Sequence, residues 1–304
     1  MSLRRLCIVA LCGVLAAATA AAAPTPPRLT ATIPTGPAPC GAVTAYGSVW
    51  IAVDGAGVVL RVDARRSRIS RRVPVGKTAC AAAAGAGAVW TTLYGAAELV
   101  RIDHRTGHVR RAHVGSNPFD VAVAGRHVWV TSFDDGTITS LNPSSLEVEQ
   151  TLAVGGHPAG LAVCRGRLWI GAARSDSWLT ALDPSTGRMD RIELGIMTPT
   201  WPECVGGDVW VTTPDSVLRV DPGSGRLRAR IRLGGTPVIT AAAPDGTIWV
   251  TDKEQNRVVR IDPGTNTVVD EFAAGPGAFA LARVGGSMWV TSYAGSDIRR
   301  YTPG

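Results

Sequence analysis

Lysine is almost missing from this chain: of 31 basic residues only Lys77 and Lys253 are lysine, and the rest are arginine. Histidine is as scarce, with five copies (His104, His108, His113, His127 and His157) and none beyond residue 157. The sequence has no HExxH, no GxSxG, no phosphate-cradling glycine loop and no calcium loop of alternating aspartates, so the metalloprotease, serine-hydrolase, nucleotide-binding and EF-hand motifs are excluded. It has no CxxC pair with histidine partners, the usual mark of a structural zinc site. Beyond residue 22 no apolar run is long enough to cross a bilayer, so no membrane span is expected. No segment keeps a 3.6-residue period for three turns, which excludes helices as the building units.

The one long apolar run is at the start. Arg4-Arg5, an apolar core over residues 6–18, and Ala18-Thr19-Ala20 or Ala20-Ala21-Ala22 read as a signal peptide over residues 1–22. Cys12 is a poor lipid acceptor because bulky Leu11 precedes it. A proline-rich linker, residues 23–27, follows, and the mature protein is expected to be secreted, periplasmic or extracellular. Loss of Arg4 and Arg5 lowers the net charge from +7 to +5. The arginines are scattered, in steps such as Arg-Ile-Asp and short clusters such as Arg65-Arg66 and Arg71-Arg72, without aromatic platforms between them. A nucleic-acid partner is therefore not expected.

What is present is a repeat. An apolar residue followed by Trp recurs at Trp50, Trp90, Trp129, Trp169, Trp210, Trp249 and Trp289, at spacings of 40, 39, 40, 41, 39 and 40 residues. Each unit holds four short strands, A to D. Strand A is apolar and strand B carries the Trp (Ile248-Trp249-Val250-Thr251). Strand C ends in an apolar–Asp step (Val62-Asp63, Ile102-Asp103, Leu182-Asp183, Val220-Asp221, Ile261-Asp262, with Leu141-Asn142 as a variant), and D follows a Pro-Ser-Thr-Gly type of turn. Period-two alternation and a repeat near 40 residues predict an all-β, seven-bladed β-propeller of four-stranded antiparallel blades over residues 28–304. The chain stops after a C strand, and the spare D-like strand is residues 28–33 at the N-terminus, so the last blade is expected to be closed by the N-terminal strand. A ring of this size is expected to act as a monomer.

Four cysteines remain after the leader, an even number in an exported chain, which favours disulfides. Cys40 and Cys80 each lie ten residues before their Trp, and Cys164 and Cys204 lie five and six before theirs, always in neighbouring repeats. The pairing favoured is Cys40–Cys80 and Cys164–Cys204.

The D–A and B–C loops of a propeller open on one face, and here they are where the chain stops repeating itself. The candidate ligand-binding residues are Tyr94, Phe133, Asp134, His157, Arg174, Trp201, Asp252, Lys253 and Tyr293, with Asp135, Asp176, Trp178 and Glu254 nearby. Phe119, Trp201 and Phe279, about ten residues before their Trp, either belong to that site or fill gaps between blades. In strand A the positions nine and seven before the Trp are mostly Gly or Ala, as suits a crowded axis, and Asp120 and Glu203 break that rule, with Thr240 a milder exception. Two carboxylates on a channel could hold a divalent cation, or could line a hydrated pore or pair with Arg283. His104, His108 and His113 fall at the rim and read as solvated.

The pattern apolar-Trp-Val-Thr, then Val-x-Arg-Ile-Asp-Pro-x-Thr, then Val-Gly-x-x-Pro resembles YVTN-type β-propeller repeats and is similar to the streptogramin (virginiamycin B) lyase family. That resemblance implies a magnesium-assisted carbon–oxygen elimination by a histidine and glutamates of the late blades. After the Thr of strand B this chain has Thr92, Ser132, Thr213, Asp252 and Ser292 at the corresponding places, and only Asp252 is acidic. The histidine has no late-blade counterpart. The expectation is thus a secreted propeller that binds a ligand or protein partner at the channel mouth, with no catalysis, metal or cofactor assigned. The alternative is a magnesium-assisted lyase of that type.

Overall fold

The structure, a computed structural model, describes residues 25–302. The expected signal peptide lies outside the described residues. The described chain forms seven four-stranded antiparallel sheets, each joining consecutive strands except the last. Blade 3 is typical, with strand A at Pro118–Ala124, B at His127–Ser132, C at Thr137–Leu141 and D at Val148–Ala153. Blade 7 takes A (Ala278–Val284), B (Ser287–Ser292) and C (Asp297–Thr302) from the C-terminus and D (Arg28–Pro34) from the N-terminus. The register pairs Ile33 with Ile298 and Pro34 with Asp297, so the ring closes as the strand count predicts. No helix among the described residues is long and apolar enough to cross a membrane.

The turns explain much of the repeat. Strand A returns into B through two-residue turns such as Tyr46-Gly47 (φ 51° and 69°) and Arg165-Gly166 (49° and 77°), where both residues are left-handed. Such turns match the right-handed twist of the strands they join. The apolar–Asp step makes the C–D turn: Asp103 accepts from the backbone of Arg105 and Thr106, Asp183 from Ser185, and Asp221 from Gly223 and Ser224. Those N–H groups hold the Asp103 and Asp221 carboxyls down at about 2. The repeated acids are turn caps.

Every repeat Trp is buried to within 1% of completely, and each packs on the B and C strands of the following blade. Trp50 meets Val89, Val100 and Ile102, and Trp289 meets Ile51, Leu60 and Val62 across the ring closure. Seven such clusters make seven junctions. Opposite the Trp on strand C stands an Arg in five blades (Arg61, Arg101, Arg219, Arg260 and Arg300). Arg219 lies 5.2 Å over Trp210 and donates to the carbonyl of Pro263 in the next blade, and Arg101 over Trp90 donates likewise to Pro143. Arg101, Arg219 and Arg300, which reaches Ser67 of blade 1, are therefore inter-blade staples, whereas Arg61 turns to Ser48 and Arg260 to Asp245 and Asp270 of their own blades.

A second link lies nearer the axis. The second residue after the Trp is Thr in five blades, and its hydroxyl donates to a strand A carbonyl of the next blade. These bonds run from Thr92 to Phe119 (3.3 Å), Thr131 to Ala159 (2.7 Å), Thr212 to Val238 (2.9 Å), Thr251 to Phe279 (2.6 Å) and Thr291 to Cys40 (3.2 Å). In blades 1 and 4 that position is Ala52 and Gly171, which have no hydroxyl. The two disulfides occur at those two junctions: Cys40–Cys80 joins blades 1 and 2 (Cα–Cα 4.9 Å), and Cys164–Cys204 joins blades 4 and 5 (5.2 Å). At the second of these a Cβ on Gly171 would stand 2.1 Å from the carbonyl of Thr200, so no side chain fits there.

If each junction is closed in one of two ways, the two kinds of link differ in size. T212V orphans one buried carbonyl and is expected to cost about 1–2 kcal/mol, whereas the C164S/C204S pair is expected to cost about 2–4 kcal/mol. Denaturant unfolding measures both. A T212V protein as stable as the parent, or a disulfide-free junction with no loss, would contradict this assignment.

Candidate functional site

The mouth of the channel is walled by aromatic side chains drawn from four blades. They form a continuous chain of ring contacts: Tyr293–Phe279 (5.8 Å), Phe279–Trp201 (6.2 Å), Trp201–Phe119 (4.9 Å), and Phe119 to both Phe133 (5.4 Å) and Tyr94 (6.2 Å). Phe119, Trp201 and Phe279 begin the A strands of blades 3, 5 and 7, so their contacts reach across the axis and skip a blade each time. They do not fill gaps between neighbours. The intervening blade 4 has Ala159 at this place and so leaves room.

Above these rings is an open pocket of about 310 Å³, lined by Tyr94, Phe119, Trp201, Phe279, Tyr293 and Lys253 among others. Lys253 Nζ lies 4.6 Å from the Tyr293 ring centre and 5.4 Å from that of Phe279, and the Tyr293 hydroxyl donates to Asp54 at 3.4 Å. On the other side Arg174 lies 5.2 Å over Phe133, bonds the His157 ring at 3.1 Å and reaches Asp134 at 3.9 Å. Asp134 in turn accepts from Asn117. The mouth is thus an apolar bowl with a cation over its rings at each side.

Below the rings is a second, smaller and partly enclosed chamber of about 90 Å³, lined by Phe119, Trp201 and Phe279 and by Asp120 and Glu203. Both carboxyls also face the lower channel. Asp120 sits where the strand A register slips between Pro118 and Val121. One of its oxygens accepts from Val121 N and the other from Leu161 N, each at 2.8 Å. Glu203 pairs in regular register with Trp210. Enclosure pushes Asp120 up to about 7, against the pull of its two N–H donors. Enclosure pushes Glu203 up to about 8, with the Asp120 charge adding to it. By surface the two are half-buried, facing the channel. Arg283 gives them no partner: it turns to the carbonyl of Gly285.

The structure brings together most of the sequence candidates but not all. Tyr94, Trp201, Lys253 and Tyr293 line the bowl, and Phe133, Asp134, His157 and Arg174 form its flank, with Phe133 itself largely covered. Asp252 is withdrawn from the set: it is fully buried, paired with Arg257 at 3.1 Å, and accepts from Thr236 N and Gln255 N. Asp176 and Asp135 likewise cap the D–A turn of their own blades through His157 N and Ser116 N. Trp178 lies apart, under Arg191 at 4.2 Å. Phe119 and Phe279, left ambiguous by the sequence, are central. Their signal was their shared place at the start of strand A, one step from the axis-facing positions.

The donor set does not suit a magnesium ion. Among the described residues no three His, Cys, Asp or Glu side chains come close enough to hold a metal. Asp120 has both oxygens engaged by backbone N–H groups, and a pair that favours its protonated form is a weak ligand for a hard cation.

Comparison with known proteins finds the architecture in solved structures. A streptogramin B lyase structure superposes with a TM-score of 0.79 at 16% identity, covering 89% of this chain and 95% of that one. The fold is that of a streptogramin lyase-like β-propeller. A catalytically inactive virginiamycin B lyase from Staphylococcus aureus with quinupristin matches this lyase-like ring with a TM-score of 0.75 at 16% identity, covering 91% and 98%. Kuenenia stuttgartiensis hydrazine synthase matches at 0.77 and 14%, covering 88% and 96%, so the same ring serves unrelated chemistry. No family model matches the chain, and no curated protein matches its sequence.

The raised carboxyls set a stability trend. Glu203 keeps its proton in the fold up to about pH 8 but loses it in the unfolded chain near its ordinary 4.5, so stability falls as pH rises across that window. A glutamine in its place cannot ionise and sacrifices no hydrogen bond seen for Glu203. The E203Q protein is expected to match the parent below about pH 4.5 and to exceed it above about pH 8, by an amount on the order of a few kcal/mol. Parallel melting curves with pH would contradict the enclosed pair.

Proposed function

We propose that this propeller binds an organic ligand with apolar rings in the bowl above Phe119, Trp201 and Phe279, and that it does so as an exported protein. The single observation behind this reading is the cross-axis chain of aromatic contacts from Tyr293 to Phe133. Packing alone does not need it, because the blades already meet through their repeat Trp residues. Rings at the centre of a concave surface give large contact area at small entropic cost, and Lys253 and Arg174 at the sides can take an anionic or carbonyl group. The carboxyl chamber beneath offers a neutral acid as a hydrogen-bond donor at neutral pH.

A second reading, lyase activity of the streptogramin type, is favoured by the likeness in fold to two such enzymes. Against it stand the absence of any histidine after residue 157 and the lack of a grouped metal donor set among the described residues.

Calorimetric titration with quinupristin separates the readings. The binding reading expects saturable association, no turnover with or without magnesium, and a loss of about 2 kcal/mol, roughly thirtyfold, in W201A with little change in its melt. Absence of binding, or binding indifferent to W201A, would contradict the aromatic bowl. Turnover abolished by a chelator would establish the lyase instead.

A further inference from the structure

The positive charge of this protein is not spread around the ring. Residues 39–113, blades 1 and 2, carry eleven Arg and Lys against four Asp and Glu, a net +7, while residues 114–304 carry 17 against 20, a net −3. Pairing sharpens the contrast. On blade 5 two of the three strand D arginines are neutralised, Arg228 by Asp208 and Asp221, and Arg230 by Asp215. On blades 1 and 2 only Arg66, with Asp63, and Arg111, with Glu98, reach a carboxylate, among the described residues.

The unpaired cations are also gathered in space. Arg71 donates to the carbonyl of Arg105 at 2.9 Å, which sets the C–D turns of the two blades side by side. Arg65, Arg68 and Arg105 are exposed on those turns. Between Arg61, Arg65, Arg66 and Arg71 lies a polar groove of about 360 Å³, with the hydroxyls of Ser48 and Ser70 in its wall and one carboxylate, Asp63, which is held by Arg66 and two backbone N–H groups. Self-repulsion among exposed guanidinium groups costs stability, and a fold has no need to place them together.

We propose that the outer rim of blades 1 and 2 is a docking surface for an acidic polysaccharide, whose carboxylate or sulfate groups pair with Arg65, Arg68, Arg71 and Arg105. Guanidinium groups bind such anions with two parallel hydrogen bonds, which lysine cannot do. The rim is charged without being apolar. The large exposed hydrophobic side chains (Leu29, Val148, Val163, Met197, Leu227 and Val268) all lie on other blades, and only Tyr94 of blade 2 is exposed, at the channel mouth. A membrane would want such side chains at the contact, and a single-stranded nucleic acid would want an aromatic platform. The rim's only aromatic side chain near these turns, Tyr46, is stacked on His104 at 3.7 Å. This surface is distinct from the aromatic bowl and stands whether or not the bowl binds quinupristin.

Binding of the intact protein to heparin and to polygalacturonate, measured by calorimetry at several salt concentrations, tests the proposal. Saturable binding that weakens as salt rises is expected, with a loss of about tenfold or more in the triple variant R65S/R68S/R105S. The control variant R226S/R232S, which removes two exposed blade 5 arginines without carboxylate partners among the described residues, one just before strand D and one at its end, is expected to bind as the parent does. No binding to either polysaccharide, or equal losses in the two variants, would overturn the proposal. So would tighter binding to phosphatidylglycerol vesicles or to a double-stranded oligonucleotide than to either polysaccharide.

Discussion

The structure depends on how each blade is fastened to the next. Within a blade the backbone ladders are local and repetitive, but a four-stranded sheet with two apolar faces has no stability alone. Here each junction combines a Trp driven into the following blade with one link nearer the axis. That link is a Thr hydroxyl where strand B offers one and a disulfide where it offers Ala52 or Gly171. The two covalent links therefore stand where the non-covalent one is missing. A ring built from such junctions is only as strong as its weakest, and this gives the N-terminal strand its importance, since it completes the blade that carries the final junction.

Because the junctions hold the ring, the axis and its mouth are free to vary. Strand A begins at the axis, and in blades 3, 5 and 7 it begins with Phe119, Trp201 and Phe279. Their rings meet over a chamber whose two carboxyls keep their protons into the neutral range. An apolar bowl over a neutral acid is a binding geometry that the blades themselves do not require. The rim of blades 1 and 2 is a second departure, of charge rather than of shape.

The fold was legible because its signals are periodic: seven Trp, the C-strand Asp and the misplaced D strand each repeat or break a rule that can be counted. The disulfide pairing followed from equal or nearly equal offsets in neighbouring repeats. The site was less legible, because burial and partnership do not show in residue type. Asp252 read as the one acid at a telling position, yet Arg257 and two backbone donors occupy it. Asp120 and Glu203 did show themselves, as large acidic side chains where the axis admits small ones. The reach of Phe119 across the axis to Trp201 depends on blade 4 having Ala159 between them, a relation among three blades that no single repeat displays. The complementarity of Thr and disulfide was written in Ala52 and Gly171 but needed the junctions to give it meaning.

Whether the ring is one cooperative unit closed by residues 28–34 is open to direct measurement by native-state hydrogen exchange. The amides to follow are those of Ala31 and Ile33, which point to strand C of blade 7, in step with Thr35 N donating to Ser296 O. In a ring closed by that strand they open with the same free energy as the strand B amides of the repeat Trp residues, in one global event. Exchange at Ala31 and Ile33 that is orders of magnitude faster, with the Trp strands still protected, would show that the ring holds without its N-terminal strand.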